Sequence, residues 1–414
     1  MAVTEYILMN QDTPVLEFTC RRNEFDEPEF FEGAWLVDYR PIGYRGLAAF
    51  LEHRKAPKHR EHIQQLLAQY GCDDLEGFLQ VTHALSLNDT FWVKRQGDAL
   101  DWPDVSLYTN PFNEVISEAA FDGTISETDF SSTSPEFGTD GYYAKCWVRE
   151  ESGIKLYKSG SAFLEIEPLS EFLASQLAEV ICWQAVQYDL DYYHGKLISK
   201  CSLFTNEEVG LDKASAVFHG AEHTIPDLLS YFRGIGSEDA FRRMCVLDAI
   251  ILNPDRHYGN FGVLFDTATM EILGMAPAFD NNKSLLPELD NDQLVTPEWY
   301  IARCRPRIGR DFIEDICTRD CELIFPLVGV PFIESCCRDQ APLSTQAPPE
   351  QGLFLDRLRS CVDHQRARQL IPHFIRTGAA PDPSRTRTGA LAVGRISPGV
   401  HCPDPYFRWI ASTI

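Results

Sequence analysis

Between an apolar stretch, Ile250-Ile-Leu, and a strand-like return, Phe261-Gly-Val-Leu-Phe265, the chain sets the polar run Asn253-Pro-Asp-Arg-His-Tyr-Gly-Asn260. Loops so placed commonly seat active-site residues. Asp255 and Asn260 stand five apart. That is the spacing of a phosphoryl-transfer loop, in which the aspartate orients or deprotonates the attacking hydroxyl and the asparagine binds a metal. Further on, Ala276-Pro-Ala-Phe-Asp280 ends in a second carboxylate. A carboxylate paired with an amide oxygen suits Mg²⁺, which takes few protein ligands and leaves its other positions to phosphate and water. Taken singly, Asp255 also reads as an N-cap or ion-paired acid and Asp280 as the start of a polar turn. A turn does not require all three at this spacing.

Several elements must position these residues. Val263 to Met275 reads as a short hairpin that carries Asp280 back to face Asn260. The best helix before the loop runs from Asp239 to Leu252. Upstream, Tyr143-Ala-Lys-Cys-Trp-Val148 and Gly153-Ile-Lys-Leu-Tyr-Lys158 read as two strands of a hairpin. An amphipathic helix follows over Glu167 to Ile181, with Leu169, Phe172, Leu173, Leu177 and Ile181 on one face. Tyr192 to Phe204 is strand-like again. Strand alternation places Ile154, Leu156 and Lys158 on one face and Lys155 on the other. An inward-facing lysine needs a partner. Glu167 and Glu171 lie one turn apart on the next helix, and Glu171 is better inside it.

The whole chain narrows the choice. At 414 residues, 44% of them hydrophobic, it can bury a large core, and its length suggests roughly two to three domains. A net charge of -24 argues against general nucleic-acid binding, and a contact with nucleic acid is not expected. Neither a leader-like start nor an apolar run of membrane-spanning length is present, so the expected setting is cytoplasmic, away from membranes. Thirteen scattered cysteines without a C-x-x-C read as reduced core thiols, the pairs Cys317/Cys321 and Cys336/Cys337 included. His219 and His223 read as surface histidines. Residues 366–414 carry seven Arg against two Asp without apolar periodicity, the mark of a poorly ordered basic tail.

The pattern N-x-D-R-H-x-x-N over Asn253–Asn260, followed by A-P-x-F-D at Ala276–Asp280, resembles the HipA-like serine/threonine kinases of bacteria across roughly 120–370. The D-R-H-x-x-N string is also similar to that of phosphatidylinositol 3- and 4-kinases, which share the protein-kinase-like fold. The hairpin and the A-P-x-F-D ending favour the HipA-like branch. The resemblance implies an α+β, two-lobed protein-kinase-like fold. Residues 1–95 would then be an N-terminal accessory module, 96–205 a small β-rich nucleotide-binding lobe, 206–376 a helical catalytic lobe, and 377–414 the basic tail.

It also implies ATP and Mg²⁺ as cofactors and a protein Ser/Thr hydroxyl as acceptor. Asp255 would be the catalytic base, and Asn260 and Asp280 the magnesium ligands. Lys158, paired with Glu171, would hold the nucleotide's α/β-phosphates. By position, Ser131 to Lys145 looks like the phosphate-binding loop, with Gly138 and Gly141 in the cradle and Lys145 at its exit. In the family a serine of this loop can be autophosphorylated; the run Ser131-Ser-Thr-Ser134 singles out none. Phe204, in Leu203-Phe-Thr205, would sit at the hinge that meets adenine. In the lipid-kinase relatives a histidine placed like His257 participates in chemistry; here it either does so or braces the loop. The N-terminal module shows no clear match to that of the best-known HipA toxins, so pairing with a cognate antitoxin or regulator does not simply carry over. Two other readings use the same residues: a lipid or small-molecule kinase, and a non-catalytic pseudokinase-type regulator.

Overall fold

The first strands alternate buried and exposed residues, which is the signature of a sheet with one face on a core. In a computed structural model, residues 3–55, 67–68, 72, 74–123, 134–139, 143–161, 167–181, 184–218, 223–251 and 253–284 are described. Strands β1 (Val3–Asn10), β2 (Thr13–Arg22) and β3 (Pro28–Trp35) join β4 (Phe91–Arg95) in an antiparallel sheet of order β3-β2-β1-β4. Leu16, Phe18 and Cys20 of β2 point inward. They share a core with Leu51 of α1 (Leu47–Glu52) and Phe78 and Leu79 of α2 (Leu75–Thr82). The Asp74 side chain caps α2 by accepting from the Gly77 N–H at 2.8 Å.

No strand begins among the described residues between β4 and Lys145. Helices α3 (Trp102–Val105) and α4 (Glu114–Asp122) stand there instead, although the composition of that stretch reads as β-rich. Local capping decides it: Asp101 and Asp104 close a capping box on α3, and Asn113 accepts from the Val115 and Ile116 N–H groups.

A second antiparallel sheet has the order β5-β6-β8-β7, from β5 (Lys145–Glu150), β6 (Gly153–Ser159), β7 (Tyr188–Tyr193) and β8 (Lys196–Ser202). The expected β5–β6 hairpin is present, with Lys145 opposite Lys158. What reads in sequence as one strand from Tyr192 is a second hairpin, turning at His194 (φ 48°) and Gly195 (φ 77°). Two successive positive φ values define the tight turn whose twist matches a hairpin, and glycine accepts that conformation without a Cβ clash. Helix α5 (Glu167–Ile181) packs on this sheet through Leu169, Phe172, Leu173 and Leu177, as its spacing predicts.

The third sheet, β11-β10-β9, combines the expected hairpin β10 (Gly262–Asp266) and β11 (Ile272–Met275) with β9 (Val209–Lys213). Gly262 is needed here: an added Cβ would lie 2.1 Å from the Asp212 carbonyl oxygen. Helices α6 (Ala214–Val217), α7 (Ile225–Gly234) and α8 (Glu238–Ile250) complete the described elements. Phe232 of α7 and Phe241 of α8 stack at 4.7 Å beside Phe261, in one core with α5. Each such burial contributes about 2 kcal/mol. The architecture is therefore mixed α and β, with three antiparallel sheets among the described residues. None of the described helices is long and apolar enough to cross a membrane. Residues 285–376 of the expected helical lobe, the tail, Gly141, Ser131, His219 and the cysteines from 304 onward lie outside the described residues.

Candidate active site

The polar loop after α8 is held by one buried guanidinium. Arg256 forms an ion pair with Asp248 of α8 through two bonds, of 2.9 and 3.0 Å. Its Nη1 donates both to the Asn260 carbonyl at 2.6 Å and to the Phe279 carbonyl at 2.7 Å, while Nη2 reaches Asn281 Oδ1 at 2.6 Å. Only arginine offers so many donors in a fixed plane. The loop and the segment bearing Asp280 are thereby tied to the same side chain. Burial pushes the Asp248 carboxyl above its ordinary value, although Arg256 pulls the other way. Asn253 completes the brace: its Nδ2 donates to Asp248 at 3.2 Å and its Oδ1 accepts the Asp255 N–H at 2.9 Å.

On this brace stand the residues singled out by spacing. Asn260 Nδ2 donates to the Asp255 carbonyl at 3.0 Å, which turns the amide oxygen away from that bond. His257 Nδ1 accepts from the Gly259 N–H at 3.0 Å. A neutral imidazole so engaged carries its proton on Nε2 and acts there as a donor, not as a base.

Lys158 meets two carboxylates, Glu171 at 2.6 Å and Asp280 at 2.7 Å, with both Lys158 and Glu171 buried. Of the two glutamates considered, Glu171 makes the pair, and its other oxygen accepts from Ser199 Oγ at 2.7 Å. Glu167 instead accepts the Ser161 N–H at 3.0 Å. Burial would raise the Asp280 carboxyl, but Lys158, supported by Lys145 and Arg256, holds it well below the usual carboxylate range. Burial would lower the Lys158 ammonium, and Asp280 and Glu171 together raise it instead. Asp280 has φ 59°, a left-handed conformation uncommon outside glycine and often kept at functional positions. It is fixed by a parallel bridge of Ala278 to Ala185 and by the Tyr188 hydroxyl, which accepts the Asp280 N–H at 3.4 Å.

These side chains line one cleft of about 470 Å³. Lys145, Lys158, Asp255, His257, Asn260 and Asp280 supply its polar wall, and Glu171 stands behind Lys158. Leu156, Val186, Cys201, Phe204 and Phe279 supply an apolar one, with the Phe204 and Phe279 rings 5.9 Å apart. Gly138 also lines the cleft, in a 3₁₀ turn where an added Cβ would sit 3.0 Å from the Arg54 carbonyl. Among the described residues no group of three or more His, Cys, Asp or Glu is arranged to hold a metal alone. Asn260 and Asp280 both line the cleft, and Arg256 ties the backbone of Asn260 to that of Phe279, next to Asp280; an amide and a carboxylate are the donor types of a cation that takes most of its ligands from phosphate and water.

The sequence reading missed Tyr188, Ser199 and Asp248. Asp248 could have been found as the acid at the last turn of a helix that ends in the loop. Tyr188 and Ser199 enter only through strand pairing. Asp212, on β9 between the cleft-lining Leu211 and Lys213, carries a further consequence. Burial, with the Asp89 carboxylate nearby and despite Arg54 and Lys213, pushes its carboxyl up to about 8. An unfolded aspartate titrates near about 3.9. Between those values the folded chain keeps a proton that the unfolded chain has released, so this group makes stability fall as pH rises through the window. Asp212→Asn is expected to melt above the parent by a margin that widens from pH 5 to pH 8. A margin independent of pH would contradict the assignment.

No protein-family model matches the chain, and no curated protein matches it in sequence. Solved structures similar to it include the Helicobacter pylori proinflammatory kinase CtkA, with 19% identity over 54% of this chain and 90% of that one, at a TM-score of 0.43. They also include Shewanella oneidensis MR-1 HipA in complex with HipB and its operator DNA, with 10% identity over 88% of this chain and 97% of that one, at a TM-score of 0.48.

Proposed function

We propose that the chain is an ATP- and Mg²⁺-dependent phosphotransferase of the HipA-like kind, moving the γ-phosphoryl group to a protein Ser or Thr hydroxyl. The observation that carries this reading is the convergence of Lys158, Asp255, Asn260 and Asp280 on one cleft whose other wall is apolar enough for a nucleobase. In this reading the sheet β5-β6-β8-β7 with α5 is the small lobe, the loop and β9 to β11 belong to the catalytic lobe, and β1 to β4 form the accessory module.

Each role follows from the chemistry at hand. Lys158, already fixed by Glu171, places a cation beside the nucleotide's phosphates. Asp255 receives the hydroxyl proton as the oxygen attacks the γ-phosphorus, the bond to the β-phosphate breaks and ADP leaves. His257 offers Nε2–H as a hydrogen-bond donor to the transferring group. Asn260 and Asp280 would hold Mg²⁺, which would supply neutralisation of phosphate charge when bound. Catalysis of this type comes chiefly from positioning, which is what the Arg256 brace supplies.

The reading is tested by incubating the purified protein with γ-labelled ATP, Mg²⁺ and a cell lysate. Transfer to protein that disappears in Asp280→Ala is expected; transfer surviving in that variant would refute the site. Gly259→Ala probes His257. The new methyl would lie 2.8 Å from Cε1 and 3.0 Å from Nδ1 of that ring, which must swing away. Stability should change by less than about 1 kcal/mol, since a side-chain end can yield. The transfer rate should fall about tenfold at unchanged ATP affinity. A parental rate would remove His257 from the chemistry.

A further inference from the structure

The cleft has a wall that no kinase role yet accounts for: Ser86, Leu87 and Asn88, from the N-terminal sheet's own connection between α2 and β4, line it. That connection is rigid. Arg54, itself buried, pairs with Asp89 through bonds of 2.8 and 2.9 Å and donates to the carbonyls of Ala84 at 2.5 Å and Phe91 at 2.7 Å. It thus grips both ends of the segment. The middle is bonded to the far side of the cleft. The Leu87 carbonyl accepts from Thr205 Oγ1 at 2.5 Å and from the Tyr108 hydroxyl at 2.9 Å, and the Asn88 carbonyl accepts the Leu211 N–H at 2.7 Å.

With the backbone carbonyls spent on these bonds, the Asn88 side chain is what the segment presents. It is half-buried, and among the described residues its carboxamide has no hydrogen-bond partner. A half-buried amide with both a donor and an acceptor is poised to bond a ligand that fills the space. Its neighbour Leu87 is bonded to Thr205, which follows Phe204, so the segment is set against the part of the cleft that carries the apolar wall.

We infer that the N-terminal module forms part of the ligand site and that Asn88 is a binding residue for the nucleoside portion of the nucleotide. The inference rests on the nucleotide reading proposed above, and deepens it: the accessory module is a wall of the cleft, not a separate appendage. An occupant of the cleft then touches the module directly, and anything that shifts the segment gripped by Arg54 alters nucleoside affinity.

The test uses the full chain and three probes: Mg·ATP, adenosine, and Mg·tripolyphosphate, each titrated into the parent and into Asn88→Ala. ATP and adenosine are expected to bind about tenfold more weakly to the variant, with tripolyphosphate unchanged. Asn88→Leu keeps the approximate shape, removes donor and acceptor without adding charge, and reads the same way if the alanine variant does not fold. Equal affinities of parent and variants for ATP and adenosine would overturn the inference, as would an equal loss for all three probes, the mark of general disturbance. A parent that binds none of the three would defeat the nucleotide reading itself.

Discussion

Asp255→Asn is expected to lower phosphoryl transfer about a thousandfold while ATP affinity stays within about twofold of the parent's, because a positioned base contributes on that order and does not hold the nucleotide. The substitution keeps the shape of the side chain. Two of the bonds that hold the loop at this residue run through its backbone, from its N–H to Asn253 and from Asn260 to its carbonyl, and the substitution leaves both in place. Single-turnover transfer together with ATP titration separates the two quantities. Loss of binding in parallel with loss of rate would mean that Asp255 holds the ligand and is not the base.

Arg256→Met should have the largest effect on stability, about 3–5 kcal/mol, since removing one partner of a buried pair leaves an uncompensated charge. Asp248 would keep its carboxylate without a cation, and the carbonyls of Asn260 and Phe279 would lose their shared donor. Replacing Asp248 with Leu in the same chain should recover part of the loss, because the stranded charge is then gone. Denaturant unfolding of the single and double variants measures this. A single variant within about 1 kcal/mol of the parent would show that the brace does not hold the loop. Activity should be lost in both, as neither restores the tie between Asn260 and the Asp280 segment.

The parts of the site that sequence made legible are those governed by local periodicity. Alternation along β6 placed Lys158 inward, and the depth of Glu171 within α5 selected it over Glu167. The β10–β11 hairpin brought Asp280 back to the loop as its turn residues suggest. Partnerships between distant segments were not legible. The pairing of β9 with β10, the hydroxyl of Tyr188 on Asp280 and the Ser86–Asn88 wall depend on which strands and loops meet, and no local spacing encodes that. The β7–β8 hairpin lies between these cases: His194-Gly195 is a turn signal, but composition on either side is uniformly strand-like. Arg256 was visible in the motif, whereas its role as the common donor to two segments required the fold.

The most direct test of the central claim is a calorimetric titration of ATP into the full chain, with and without Mg²⁺, in the parent and in Asp280→Ala. The account predicts ATP binding by the parent that tightens with Mg²⁺, and loss of that magnesium effect in Asp280→Ala. Failure of the parent to bind ATP, or a magnesium effect undiminished in the variant, would contradict it.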